Sequence, residues 1–244
     1  MKPDELLIDL KNQYANVLSK INFEQFAPYE DHYSGVFLSK ASDSYFASTT
    51  KLMFVGRETA GWNTDNNRGT ISRLQTFSQN DQLLDIVGES LTRYTKHLDD
   101  LRTNVCKPQR SHFRRFHYQL SKRLEVDPDA IIYSNLLAWD YKKGSPLKRP
   151  ESEQREIICA SIELLSAQIQ AYRPDIIIFA TGYSVDKIIK KLFSEKFGGW
   201  QTHDVLPRKL WQFSAAGAKC FRIAHPRAMS NSHPEVRKQL LNLL

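Results

Sequence analysis

The sequence is poor in cysteine and has no long hydrophobic run, and both absences limit what the protein can be. Three scattered cysteines, Cys106, Cys159 and Cys220, provide neither a disulfide framework nor a zinc or iron–sulfur ligand set. No stretch approaches the roughly 20 apolar residues of a membrane span, and the amino terminus lacks the apolar core of a signal peptide. We therefore expect a cytoplasmic protein with reduced thiols and no membrane association.

Three familiar glycine-rich signatures are also missing. The chain has neither the Gly-x-x-x-x-Gly-Lys-Ser/Thr of a P-loop nor the Gly-x-Gly-x-x-Gly of a dinucleotide site. The absence of Gly-x-Ser-x-Gly argues against an α/β-hydrolase. His203 and His233 lie far from any paired metal-ligand spacing. The sequence thus predicts neither a cofactor nor a bound metal ion.

Positive charge, by contrast, is in excess. The 34 lysines and arginines outnumber the 27 aspartates and glutamates, which gives a net charge of +7. Residues 107–118 mix basic and aromatic side chains, and residues 142–150 form a basic loop with two prolines. Because phosphates attract Lys and Arg and bases stack on aromatic rings, both stretches favour a nucleic-acid partner. Each is also compatible with an ordinary solvated surface.

The hydrophobic pattern alternates between helices and short apolar strands. We predict helices at 4–21, 82–101, 111–124, 151–172, 184–193 and 234–244, and strands at 51–55, 130–137, 176–180 and 219–224. Strands that alternate with helices are typical of a mostly parallel sheet covered on both faces. The sequence therefore predicts an α/β fold with four strands.

Polar side chains follow three of these apolar runs. Glu58 comes shortly after the first strand, Asn135 lies near the end of the second, and His225 follows the last. In open α/β sheets, ligands bind just beyond the carboxyl ends of the strands. These three residues are therefore candidates for one functional site.

Around these residues the sequence resembles the uracil-DNA glycosylase superfamily over roughly residues 50–230. Residues 58–65 (Glu-Thr-Ala-Gly-Trp-Asn-Thr-Asp) resemble the water-activating motif Glu-Ala-Pro-Gly-x-Asn-Glu-Asp of its bacterial and archaeal branches. Residues 132–137 resemble the strand whose Asn reads uracil, and residues 224–230 resemble the His-Pro-Ser motif. Residues 173–182 match a structural strand common in that superfamily.

The chain also departs from the family pattern at several positions. Arg57 separates Gly56 from Glu58, Ala60 stands where the family has Pro, and Arg227 stands where it has Ser. The iron–sulfur branch needs four cysteines, and this chain has three. The fold therefore transfers from the resemblance more safely than uracil specificity does.

The resemblance implies a particular architecture. The family fold is a three-layer α/β/α arrangement around a central, mostly parallel four-stranded sheet. We accordingly expect a single domain over residues 1–244, acting as a monomer. It would carry a helical extension over about residues 1–48 and a helical insertion over about residues 66–110.

The resemblance also implies a reaction, namely metal-independent hydrolysis of the N-glycosidic bond of uracil or a related damaged base in DNA. Glu58 would position the attacking water, and His225 would stabilise negative charge on the departing base. Asn135 would read the base edge, and either Trp62 or Phe77 would stack on the flipped base. The residues implied in DNA contact are Arg57, Asn63, Arg227 and Ser230.

Structural alternatives stand beside each of these roles. Glu58 also suits the amino terminus of a helix that begins near Ala60. The Asn135 side chain could instead form hydrogen bonds with backbone groups at the strand end. His225 could simply be part of a turn after the strand. Trp62 could pack against other side chains of the protein rather than stack on a flipped base. At the level of function, the alternatives are a catalytically inactive module that binds nucleic acid or a protein, and hydrolysis of free nucleosides.

Overall fold

The computed structural model describes residues 3–27, 31–62, 70–105, 111–226, 228 and 233–244. The chain divides into two compact units, and each unit is assembled from three separate stretches. The first unit comprises residues 1–40, 58–95 and 135–171, and the second comprises residues 41–57, 96–134 and 172–244. The prediction of a single domain stays a prediction.

The α-helices of the described residues are α1 (Pro3–Leu18), α2 (Asp43–Ala47), α3 (Thr70–Gln79), α4 (Leu83–Thr103), α5 (His112–Leu124), α6 (Glu151–Tyr172), α7 (Asp186–Phe197) and α8 (His233–Leu243). The structure confirms the six helices expected from the sequence, within a few residues at their ends. It adds α2 and α3, which the hydrophobic pattern did not predict. None of these helices combines the length and apolar character that crossing a membrane requires.

Helix ends follow local chemistry. The side chain of Ser111 accepts a hydrogen bond from the amide of Arg114 and caps the start of α5. At the other end of that helix, Glu125 adopts the left-handed conformation, with φ of 55°. Helix α7 runs to Phe197 and stops at Gly198, whose φ of 74° suits glycine.

The second unit contains a mixed sheet. Its strands are β1 (Leu52–Gly56), β2 (Ile131–Asn135), β3 (Ile176–Phe179), β4 (Gln201–Leu206), β5 (Leu210–Ala215) and β6 (Ala218–Ile223). In the described residues the strand order is β2-β1-β3-β6-β5-β4. Strands β1, β3 and β6 are parallel, with Val55 opposite Phe179 and Phe179 opposite Arg222. The pairs β5–β6 and β4–β5 are antiparallel.

The prediction of four strands is therefore wrong, because the described sheet has six and its far side is antiparallel. Strand β4 escaped prediction because all six of its residues are exposed, so no hydrophobic alternation marks it. Strand β5 did carry a signal, since buried Trp211, Phe213 and Ala215 alternate with partly exposed residues. Ala216 and Gly217, with φ of 52° and 77°, form the two-residue turn between β5 and β6.

Helices cover both faces of the sheet in the second unit. On one face, α5 and α8 pack on a core formed by Leu52, Phe54, Phe116, Leu120, Ile131, Ile178, Phe221, Ile223, Val236 and Leu240. On the other face, Phe193 of α7 packs against Phe179 and Phe213, with ring centroids 5.9 and 5.6 Å apart. Strands β1 and β3 are almost wholly buried, which explains their continuous apolar sequences.

A buried ion pair joins α7 to β6. Arg222 is only 3% exposed, and its Nε and Nη2 donate to Asp186 Oδ1 and Oδ2 at 2.8 and 2.9 Å. Burial raises the pKa of Asp186 above its ordinary value, although the guanidinium opposes that shift. This bidentate geometry holds the first residue of α7 against the sheet.

The first unit is helical and contains buried polar contacts. The Tyr14 hydroxyl of α1 donates to the backbone oxygen of Ser39 at 2.9 Å, and the Ser39 hydroxyl donates to Gln168 of α6 at 2.8 Å. Tyr33 donates to Glu153 at 2.6 Å, and Arg149 donates to the same carboxylate. These bonds fasten the irregular segment after residue 31 to α1 and α6.

Candidate functional site

The segment that carries Glu58 is held in place by a buried carboxylate. Glu58 is half-buried and lies two residues beyond the end of β1. Asp140, which is 1% exposed, accepts hydrogen bonds from the Thr59 hydroxyl at 2.6 Å and from the Gly61 amide at 2.7 Å. Its other carboxylate oxygen accepts from the Lys143 amide at 2.8 Å. Asp140 therefore fixes the backbone immediately after Glu58.

Further contacts complete this turn. Gly61 has a φ of 92°, a conformation that L side chains rarely adopt. The Gly35 amide donates to the backbone oxygen of Trp62 at 2.8 Å. Residues 60–62 form a bend and a turn, so no helix begins at Ala60. Residues 63–69 lie outside the described residues, so the helix-capping interpretation of Glu58 stays a prediction beyond Trp62.

Asn135 is the last residue of β2 and is 4% exposed. The chain continues from it through a buried apolar segment to Asp140. The amide of Ala138 in this segment donates to the Ser161 hydroxyl of α6 at 2.9 Å. Asn135 therefore stands at the start of the segment that supplies the carboxylate holding the Glu58 turn.

His225 follows β6 by two residues and is half-buried. Its ring stacks on Phe113 of α5, with centroids 6.2 Å apart and planes 29° apart. The Phe113 ring also contacts the rings of Phe54 in β1 and Tyr133 in β2, with ring centroids 4.3 and 5.0 Å apart. The Ala228 amide donates to the backbone oxygen of His225 at 2.8 Å. An aromatic cluster and a turn thus fix the imidazole.

The two aromatic candidates for base stacking both lie in the first unit, beneath guanidinium groups. Trp62 contacts Phe37, with ring centroids 4.6 Å apart, and Arg93 lies 5.6 Å over its ring. The ring of Phe77 in α3 lies beneath the guanidinium of Arg73, with 4.6 Å between Cζ and the ring centroid. The contact with Phe37 gives Trp62 a packing role. The choice between the two rings as a stacking platform stays open.

The remaining predicted DNA-contacting residues divide into two groups. Arg57 is half-buried and directly follows β1 in the second unit. Asn63, Arg227 and Ser230 lie outside the described residues. Of the three central residues, Glu58 and Asn135 belong to the first unit and His225 belongs to the second.

Within the second unit, the parallel strands bring several polar segments to one edge of the sheet. Strands β1 and β6 lie on either side of β3 and run parallel to it. The chain therefore leaves them at the same edge, at Arg57 and at Ala224–His225. Two interstrand spacings separate their ends by about 10 Å. The Gly182 amide donates to the backbone oxygen of Ile223 at 3.0 Å and ties the turn after β3 to β6.

A basic groove lies between α5 and α8 in the second unit, with a cavity volume of about 460 Å³. Its lining includes His112, Arg115, Phe116, Pro234, Arg237 and Lys238. The sequence of residues 107–118 is basic and aromatic, but it carries no signal of a partner in α8. Adjacent cations at Arg237 and Lys238 were the only signal in that helix, and such pairs are common on surfaces.

A second cavity, in the first unit, is much smaller. It has a volume of about 30 Å³ and is bounded by Thr70 and Arg73 of α3, Glu89 and Ser90 of α4, and Trp139. A volume of this size suits a water molecule rather than a nucleobase.

The role of Asp140 was also not predicted from the sequence. Its signal was a single acidic residue that ends the apolar run Leu136–Trp139. A carboxylate next to buried apolar residues is rarely left without hydrogen-bond donors, and here one donor, the Thr59 hydroxyl, comes from 81 residues away in the chain.

Across the parts of the chain that the structure describes, no three His, Cys, Asp or Glu side chains are grouped so that they could hold a metal ion. No protein-family model matches this chain, and no curated protein matches it.

Proposed function

We propose that the protein hydrolyses the N-glycosidic bond of uracil or a related damaged base in DNA. The observation that carries this proposal is that each of the three motif residues lies at, or just beyond, the carboxyl end of a strand. Glu58 follows β1, Asn135 ends β2, and His225 follows β6. Within the second unit, the parallel course of β1 and β6 leaves Arg57 and His225 at the same edge of the sheet, where ligands of open α/β sheets bind.

The surroundings of each residue suit the chemistry of this reaction. Base excision needs a carboxylate to position water and to offset positive charge that develops on the sugar. The Glu58 turn is held by Asp140, which favours a fixed carboxylate position. The departing base gains negative charge, and an imidazole N–H held by stacking on Phe113 suits its stabilisation.

The fold is consistent with this proposal. Helices α5 and α8 on one face and α7 on the other agree with a three-layer α/β/α arrangement of the glycosylase type. The antiparallel extension by β5 and β4 is an addition to the four strands of that arrangement. Asn135 can both donate and accept hydrogen bonds, as recognition of a pyrimidine edge requires.

The direct test is a labelled oligonucleotide that contains one uracil, incubated with the protein and then treated with hot alkali. We expect strand scission with the native protein and a large loss with Glu58→Ala. Thr76→Ala, an exposed change on α3, provides a control that should retain activity. Absence of scission from single strands and from U·G and U·A duplexes would remove uracil as the substrate, and a panel of other lesions would then test the wider proposal.

A second function is favoured by one observation, the basic groove between α5 and α8. A protein that only binds nucleic acid would use such a groove without releasing a base. In that case, oligonucleotide binding would weaken steeply with salt while no lesion in the panel yielded free base. Release of base from free nucleosides would instead indicate a nucleoside hydrolase.

A further inference from the structure

We propose that the groove between α5 and α8 binds phosphate groups of a nucleic-acid strand, with Arg115, Arg237 and Lys238 as the cationic contacts. All three side chains line the same cavity of about 460 Å³. Arg115 comes from the first turn of α5, and Arg237 and Lys238 come from α8. The inference rests on the proposed function in one respect, because DNA is the phosphate-bearing substrate proposed there.

Among the described residues, the charged side chains that line the groove are basic. None of the described residues that line it is acidic. The Nη1 atom of Arg237 is buried and has no hydrogen-bond partner within the described chain. A buried guanidinium nitrogen without an acceptor is costly, and a bound oxyanion would supply that acceptor.

The directions in which burial and neighbouring charges shift the pKa values of Arg237 and His233 agree with this geometry. Burial lowers the pKa of Arg237 below its ordinary value, and the nearby charge of Arg115 lowers it further. Burial also lowers the pKa of His233, the first residue of α8, and the charges of Arg237 and Lys209 add to that effect. An anion that binds between neighbouring cations reduces the electrostatic repulsion between them.

Two helix termini add to the attraction for an anion. His112 is the first residue of α5, and Pro234 is the second residue of α8. Both residues line the groove. Helix amino termini carry partial positive charge, so the backbone field has the same sign there as the side chains. The size of the groove and its opening on the surface suit a backbone phosphate that enters from solvent.

The test measures binding of a fluorescent, undamaged single-stranded 12-mer to the full chain between 50 and 200 mM salt. We expect Arg115→Gln and Lys238→Gln each to weaken binding about tenfold, as for one lost charge-assisted hydrogen bond. Each should also reduce the slope of log affinity against log salt by about 0.7, the value for one phosphate contact on a single strand.

The matched control is Lys122→Gln, which removes one exposed charge from α5 outside the groove. If the groove variants and Lys122→Gln change affinity and salt slope equally, the proposal is overturned. Arg115 and Lys238 are both exposed, so their replacement should leave the thermal unfolding midpoint unchanged and keep the test valid.

Further measurements distinguish binding of free phosphate from binding of a nucleic-acid strand, and they distinguish failure of the groove proposal from failure of the glycosylase proposal. If inorganic phosphate shifts the imidazole resonances of His233 but the groove variants leave 12-mer binding intact, a nucleic-acid role is overturned. A strand with abasic sites throughout should bind the groove like the normal strand, because phosphates alone are contacted. Loss of strand binding in the groove variants, together with no base release by the native protein, would support the groove while removing the glycosylase function.

Discussion

At the scale of single residues, His225 is held by aromatic neighbours in the second unit. Its ring stacks on Phe113, and Phe113 in turn contacts residues of β1 and β2. Pro226 is buried directly after it and limits the backbone. The sequence predicted that this imidazole would follow a strand, and the structure adds the aromatic surface against which it lies.

We expect His225→Leu to leave the fold intact and to slow base release by roughly two to three powers of ten, the usual loss for one donor to developing negative charge. Binding of the substrate should weaken much less, because that contact strengthens in the transition state. Single-turnover rates and fluorescence anisotropy on the same oligonucleotide measure the two effects. An unchanged rate would remove His225 from the chemistry, and an unfolded variant would show a structural role.

At the scale of elements, the turn after β1 depends on the segment after β2. Asp140 Oδ2 accepts from both Thr59 and Gly61, while Oδ1 accepts from the Lys143 amide. An amide side chain of the same size has only one acceptor atom. Asp140→Asn therefore leaves at least one of these buried donors facing an NH₂ group.

We expect Asp140→Asn to lower the free energy of unfolding by about 1–3 kcal/mol, the cost of an unsatisfied buried hydrogen-bonding group. Urea denaturation measures this loss. At urea concentrations below the unfolding transition, base release by this variant should also be slower, because the backbone next to Glu58 is no longer held in place by Asp140. Thr59→Ser keeps the hydroxyl and serves as the control, with near-native stability and rate. Native rates in a folded Asp140→Asn protein would show that the hydrogen bonds only stabilise the turn.

At the scale of the whole molecule, a buried histidine makes stability depend on pH. His117 of α5 is buried, and its Nε2–H donates to the Pro128 carbonyl at 2.7 Å. Burial lowers the pKa of His117 from 6.5 to about 4, although the Pro128 hydrogen bond opposes the shift. The unfolded chain therefore takes up this proton at a higher pH than the folded protein does.

The stability linked to His117 is present above pH 6.5 and is lost as the pH falls toward 4. Between pH 7 and pH 5 we expect a loss of about 2 kcal/mol in the free energy of unfolding from this residue. Urea denaturation at both pH values should show that His117→Gln removes this part of the pH dependence. His203→Gln, on exposed β4, should retain it. An equal pH dependence in the two variants would contradict the assignment.

The sequence by itself determined the elements with strong hydrophobic patterns. Leu52–Gly56 and Ile176–Phe179 are buried on both faces, so their apolar runs were sufficient to predict strands. The same holds for α6, whose apolar pattern continues until Arg173-Pro174. Strand β4 could not be predicted, because its exposed residues have no burial pattern and its pairing with β5 supplies the order.

Only the tertiary structure decided which distant groups meet. Asp140 reaches Thr59 across 81 residues, and Arg115 of α5 shares a cavity with Arg237 of α8. Hydrophobic periodicity reports the environment of one segment and carries no information about the partner on which that segment packs. The Glu58 turn depends on hydrogen bonds between distant residues of the first unit, and the basic groove depends on two helices packed on one face of the sheet in the second unit.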